Sequence, residues 1–268
     1  MIKYAQLEKL AGEIRKNILQ ISYDAKVGHV GSAFSIVEIL VALYFGILKI
    51  DQRRPNSSSR DRFILSKGHA APALYCVLEK RGLITKKILT SYCRDGGLLE
   101  EHPTHHINGI EVSTGSLGHG LSIGVGFSLA AKLKKANYGV FVLISDAELD
   151  EGETWAAALS AAHHKLDNLT ILLDYNQVQA LGRVHEVLNI EPLKEKWLAF
   201  GWRLVEVDGH NIRSIIMGSQ RKTNSSQPSI IICHTIRGKG VSFMEHKIEW
   251  HYLSPTADHI KRALRELR

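Results

Sequence analysis

Apolar residues along this chain of 268 residues follow two spacings. Leu7, Leu10, Ile14, Ile18 and Ile21 recur at helical spacing and predict a helix over residues 5–26. A glycine-containing turn, Val27-Gly28-His29-Val30-Gly31, follows. Ser35 with Glu38 three residues on reads as a capping box opening a second apolar helix through Leu48. Phe63-Ile64-Leu65 predicts a short strand ending in Ser66-Lys67-Gly68-His69, and a helix follows from Ala70 to Lys80. Residues 93–116 are rich in Gly and His without periodicity, the mark of a functional loop. A Gly/Ala helix is predicted over Leu117–Lys135.

Tyr138–Ile144 and Leu169–Asp174 are nearly continuous apolar runs, as in strands covered on both faces. Between them, Gly152–Lys165 is Ala-rich and supplies the helical crossover that a parallel pair requires. The alternation continues with a strand over Gly201–Asp208, a helix over Ile212–Lys222, a polar turn over Thr223–Pro228 and a strand over Ser229–Thr235. This order predicts an α/β fold: a doubly wound, mostly parallel sheet with helices on both faces. No repeat, low-complexity tract or linker divides the chain, so residues 1–268 read as one domain.

Composition narrows the function. Hydrophobic content of 44% with 23% charged residues suits a soluble globular protein. No apolar run approaches the roughly 20 residues of a membrane span, and the amphipathic, mixed-charge amino terminus is not a secretory signal. Three scattered cysteines predict reduced thiols and a cytoplasmic setting. The net charge of +7 is spread along the chain, densest in the loop Gln52–Arg62, with no basic run interleaved with aromatics. That distribution argues against nucleic acid and for anionic, phosphorylated small molecules.

Asp146 follows one buried strand, and Asn176 follows the next about one βαβ unit later. Carboxyl ends of parallel strands are where open α/β sheets bind ligands. A carboxylate, an amide oxygen and a backbone carbonyl would contribute half of the six oxygens that Mg²⁺ prefers, with phosphate oxygens and water supplying the rest. An acidic residue and an asparagine also follow strands in α/β turns that hold no metal, and the spacing alone leaves both readings open. Ser113–Gly120 is a Gly-rich turn opening a helix, able to present free N–H groups to a diphosphate or simply to allow close helix packing.

Five of the fourteen histidines, His29, His69, His102, His119 and His251, lie in turns, where imidazoles can reach a cleft and transfer protons near neutrality. The groups His102, His105, His106 and His163, His164 lack the i,i+4 spacing or cysteine pairs of a zinc site.

Taken in order, GHVGSAFSIVEILVALYFGIL, DRFILSKGHAAPALY, EHPTHHINGIEVSTGSLGHGLSIGVG, SDAELDEGETW, DYNQVQALG, EPLKEKWLAFGW and TIRGKGVSFMEHKIEWHYLSP resemble the thiamine-diphosphate-binding half of transketolases. The resemblance spans roughly residues 10 to 255 and is strongest to split transketolases, in which one gene product carries the diphosphate-binding domain. It implies the thiamine-diphosphate-binding fold and transfer of a two-carbon ketol unit from a ketose, expected to be phosphorylated, to an aldose. It also implies a carboxyl-terminal, pyrimidine-binding partner subunit, without which the chain is inactive, and a dimer of heterodimers. Carried over to this sequence, Asp146, Asn176 and the Val178 carbonyl would ligate Mg²⁺ (or Ca²⁺ or Mn²⁺). His69, Gly118, Ala147, Ile190 and His251 would line the cofactor. His29, His69, His102 and His251 would surround the sugar, and Glu151 would couple cofactors across a subunit interface.

The resemblance is imperfect at the metal motif. The family's Gly-Asp-Gly is Ser145-Asp146-Ala147, Leu181 stands where an Asp is usual before Gly182, and Ala156 replaces a common Glu. These changes raise altered substrate choice or weakened cofactor binding, and the altered glycines leave open a cofactor-poor scaffold or regulatory subunit. A related alternative, an enzyme resembling 1-deoxyxylulose-phosphate synthase or 2-oxoacid decarboxylases, has the histidine set against it.

Overall fold

Val140–Ser145 is buried at every position, which is why its apolar run is unbroken. In the computed structural model, which describes residues 3–55, 57–220 and 226–267, it forms strand β2 of a five-stranded sheet. The other strands are β1 (Arg62–Leu65), β3 (Leu169–Tyr175), β4 (Arg203–Asp208) and β5 (Ser229–His234). Their spatial order is β1-β2-β3-β5-β4, and all four pairings are parallel. The doubly wound parallel expectation therefore holds.

The helices are α1 (Tyr4–Ala25), α2 (Val30–Ser35), α3 (Val37–Ala42), α4 (Ala71–Lys80), α5 (Lys86–Leu89), α6 (His119–Leu133), α7 (Gly152–His163), α8 (Val184–Val187), α9 (Leu193–Ala199), α10 (Ile212–Gly218) and α11 (Ala257–Glu266). Alternate strand residues feed two cores. Phe63, Phe141, Leu143, Leu172 and Ile231 pack with α1, α3, α4 and α10. Ile64, Val142, Ile144, Ile171 and Ile232 pack with α6, α7 and α9 on the other face. Gly124 lets α6 lie against β2, since a Cβ there would sit 2.5 Å from Val142 Cγ2.

One helix start differs from the sequence expectation. Ser35 does not cap a helix; it is the last residue of α2, which begins at Val30. The helical path breaks at Ile36 (φ −105°, ψ 7°), and beyond α3 it widens into a π-helical turn over Leu43–Ile47. The Ser35 hydroxyl instead donates to Asp174 Oδ2 at 2.7 Å. Glu38 is not a capping partner either: it accepts both Arg15 terminal nitrogens at 2.6 and 2.7 Å and contacts His210 Nδ1 at 2.9 Å. These partners hold its carboxyl at about 2 despite burial, which acts the other way. Among the described residues, no helix or strand forms between Cys93 and Gly118, as expected. Arg221, Lys222 and Thr223 to Ser225, in the predicted helix end and turn, lie outside the described residues, as does Asn56.

Candidate active site at the carboxyl rim of the sheet

Because every strand runs the same way, the segments leaving β1, β2, β3 and β5 meet along one rim. They bring Lys67 and His69, Asp146, Asp174 and Asn176, and Thr235 and Arg237 together. Asp174, completely buried, is the hub. Its Oδ2 accepts from Lys67 Nζ at 2.5 Å, Ser35 Oγ at 2.7 Å and Asn176 Nδ2 at 2.9 Å, and its Oδ1 from Thr235 Oγ1. Burial alone would raise its pKa, but the Lys67 ammonium and the hydroxyls hold it below the ordinary carboxylate value.

Asp146 and Asn176 do come together. Asp146 Oδ2 accepts the Gln177 N–H at 2.6 Å and Oδ1 that of Ala147 at 2.9 Å. Asn176 Oδ1 accepts from the Val178 N–H at 3.0 Å, a local turn that fixes the amide. The Val178 carbonyl accepts from Arg237 Nη1 at 2.9 Å. Asp146 is 1% exposed and has no ion pair within 4 Å among the described residues. Burial, then repulsion from Asp174, pushes its carboxyl up to about 7. A buried carboxylate with backbone donors but no cation, beside an amide and a carbonyl oxygen, suits a hard divalent ion.

Three of the turn histidines form a cluster. The His29 ring centroid lies 5.3 Å from that of His69 and 4.8 Å from that of His251, and His69 and His251 are 5.3 Å apart. His29 stands in the left-handed region (φ 63°), its N–H bonded to the His251 carbonyl at 3.1 Å. His69 Nε2 pairs with Ser32 Oγ at 2.8 Å. Burial, then Lys67, holds His69 well below its usual pKa; burial, then Arg237, lowers His251 to about 3. At neutral pH these two rings are uncharged. His102 is anchored by the Tyr75 hydroxyl, which donates to its carbonyl at 2.9 Å, and its ring packs on Gly115.

The Gly-rich turn also meets this rim. Gly118 precedes α6 at φ 83° and donates its N–H to Glu148 Oε1 at 3.0 Å. A Cβ on Gly118 would lie 2.7 Å from Glu151 Cβ. Glu148, wholly buried, also accepts from Ser66 Oγ and from the Ser145 N–H at 2.8 Å, tying the exits of β1 and β2 to the start of α6. Ser145 (φ −101°) and Ala147 both avoid the left-handed region, so the backbone there does not demand the glycines they replace. Residues 113–116, His119, Gly120 and Ile123 line an open cavity of about 340 Å³. Glu151 is exposed, and so is His119, which stands apart from the ring cluster. Ile190 is buried with the α6–α9 core. Leu181 is 82% exposed.

Lys67, Glu101 (3.0 Å from His29 Nδ1), Glu148, Asp174 and Arg237 also belong to the site; each lies within one of the segments quoted for the resemblance, but none was singled out there as a site residue. One signal was present: Asp174 follows the nearly continuous apolar run of β3, and a carboxylate buried there demands a cationic partner.

Residues 7–267 match the family model "Transketolase, thiamine diphosphate binding domain". The chain is 42% identical over 263 residues to one subunit of an apulose-4-phosphate transketolase from Phocaeicola vulgatus, covering 97% of this chain and 93% of that protein. It is 41% identical over 263 residues to the 6-deoxy-6-sulfo-D-fructose transketolase subunit SqwG of a Clostridium species, covering 97% and 96%. The transketolase crystal structure from Campylobacter jejuni superposes with a TM-score of 0.93 at 27% identity, over 99% of this chain but 43% of that one. The rim of buried carboxylates, imidazoles and glycine turn thus sits in a matching sequence and a matching fold: the chain belongs to the transketolase family, through its thiamine-diphosphate-binding domain.

Proposed function

We propose that this chain is the diphosphate-binding subunit of a two-subunit transketolase, folded as one domain, that moves a two-carbon ketol unit from a phosphorylated ketose to an aldose. The observation that carries the reading is the cluster of His29, His69 and His251 beside Asp146 and Asn176, in a chain that matches single subunits of transketolases over nearly their whole length. Thiamine diphosphate, when bound, supplies the electron sink for cleaving and forming the carbon–carbon bond. Asp146, Asn176 and the Val178 carbonyl would hold Mg²⁺, or Ca²⁺ or Mn²⁺ in its place. Gly118, Ala147, His69, His251 and Ile190 would bind and orient the cofactor. His29 and His102 would hold sugar hydroxyls and move their protons, while the neutral rings of His69 and His251 donate to developing negative charge. Glu151, exposed at the start of α7, would face a neighbouring subunit in a dimer of heterodimers.

The partner would be a pyrimidine-binding carboxyl-terminal subunit. Among the described residues no helix is long and apolar enough to cross a membrane, and the three cysteines are free; a cytoplasmic setting accords with both. Titration calorimetry of the chain with its partner tests the reading. Mg²⁺-dependent binding of thiamine diphosphate, with ketol transfer from a ketose phosphate, is the expected result. No such binding in a correctly assembled complex would refute it.

A further inference from the structure

Two neighbouring imidazoles of the cluster are held by groups of opposite chemistry. His29 Nδ1 lies 3.0 Å from Glu101 Oε1, a carboxylate at the mouth of the site that is 44% exposed at its side chain. His251 Nδ1 faces Nη2 of Arg237, a residue only 2% exposed. A carboxylate only accepts hydrogen bonds, and a guanidinium only donates them. The His29 contact is off-line for a hydrogen bond, yet a ring lone pair set 3.0 Å from a carboxylate oxygen would be repelled by it, so the proton of His29 belongs on Nδ1, leaving a lone pair on Nε2. His251 must accept at Nδ1 and so carries its proton on Nε2.

We infer that Glu101 and Arg237 are positioning residues that lock His29 and His251 in opposite tautomers, giving the cleft one proton-accepting and one proton-donating imidazole. The inference rests on the ketol-transfer reading only for what the two rings act upon. In that setting, His29 Nε2 takes the proton of a substrate hydroxyl as its O–H bond breaks. The imidazolium so formed is stabilised by the Glu101 carboxylate. His251 Nε2–H donates a hydrogen bond to a substrate oxygen gaining negative charge, and keeps its proton.

The surroundings agree with this division. His29 is also faced by His102, Arg237 and the rings of His69 and His251. Burial lowers its pKa first, and Glu101 is the group that opposes this. His251 is faced by Arg237, Lys67, His29, His69 and Tyr252, with no carboxylate among the groups that shift it. Arg237 is itself fixed, because its other terminal nitrogen donates to the Val178 carbonyl at 2.9 Å.

The test is a long-range ¹⁵N–¹H correlation spectrum of the full chain labelled at histidine, near pH 7, with His29→Gln and His251→Gln used for assignment. The expected spectrum has His29 protonated at Nδ1 and His251 at Nε2. Glu101→Gln should give His29 a mixed pattern, and Arg237→Met should do so for His251. The same tautomer on both rings, or no change in either variant, would overturn the inference. Glu101→Gln replaces a half-exposed side chain by its isostere, so the test survives if Arg237→Met fails to fold. In the assembled enzyme, Glu101→Gln should lower kcat roughly 10–100-fold, as loss of a supporting partner does elsewhere. It should also move the acidic limb of the pH–rate profile to lower pH; an unmoved limb would count against Glu101. Opposite tautomers in a complex without ketol transfer would refute the proposed function and leave this inference standing.

Discussion

Lys67 Nζ lies 2.5 Å from Asp174 Oδ2, and both side chains are almost completely shielded from water. Lys67 also donates to the Ser32 carbonyl at 3.2 Å, and the Ser32 hydroxyl meets His69. The pair thus lies one residue away from an imidazole of the proposed site. Lys67→Met should cost about 3–5 kcal/mol, because it strands a buried carboxylate. Lys67→Met with Asp174→Leu should cost less than Lys67→Met alone, since no unpaired charge remains. Urea denaturation of the three proteins decides it; equal losses would mean the charge pairing is irrelevant.

Asp146 gives a stability signature with a definite sign. Its folded carboxyl titrates near 7 against an ordinary value of 3.8, so the folded chain holds the extra proton between them. Stability without divalent ions should therefore fall as pH rises from about 4 through about 7. Asp146→Asn should flatten that fall, read as the change in urea midpoint between pH 5 and pH 8. Asp146→Ala should abolish Mg²⁺-dependent binding of thiamine diphosphate, and wild-type affinity in that variant would remove Asp146 from the metal site.

His29→Ala and His102→Ala should lower turnover by roughly 10²–10⁴-fold, the range for a lost acid–base group. Cofactor affinity should stay close to wild type, because both rings are assigned to the sugar. Steady-state kinetics paired with calorimetry separates the two effects. A large loss of affinity would reassign these residues.

Gly118 and Gly126 should respond oppositely to alanine. Gly118→Ala forces a side chain into φ 83° and against Glu151, and should destabilise by about 1–3 kcal/mol. A Cβ on Gly126, within α6, meets nothing within 4 Å. Gly126→Ala should stabilise by about 0.5–1 kcal/mol. Thermal melts of both variants check the pair, and a stable Gly118→Ala would show that the turn before α6 is pliable.

The strands were legible because parallel strands covered on both faces have no polar alternation to blur them: β2, β3 and β5 appear in the sequence as apolar runs. β4, at the sheet edge and only partly covered, is carried by a weaker pattern. The helix break at Ile36 escaped because the local capping pattern of Ser35 and Glu38 competes with distant partners, Asp174 and Arg15, and the distant partners win. Short helices such as α8 and α9 span too few residues to show a period. At the site, the histidines were readable from their glycine turns. Glu101 and Arg237 were not, because what makes them matter is which ring nitrogen they face, and no linear spacing encodes that.

Asp174 draws its partners from across the chain: Ser35 is 139 positions away, Lys67 is 107 and Thr235 is 61. Contacts this distant in sequence close late in folding, after the strands have found their neighbours. The rim therefore cannot assemble ahead of the sheet, and a fragment lacking any one of these segments would take a partner from its carboxylate. Cofactor capture by this chain becomes a report on completed folding: a molecule that binds has, by that fact, β1, β2, β3 and β5 in register.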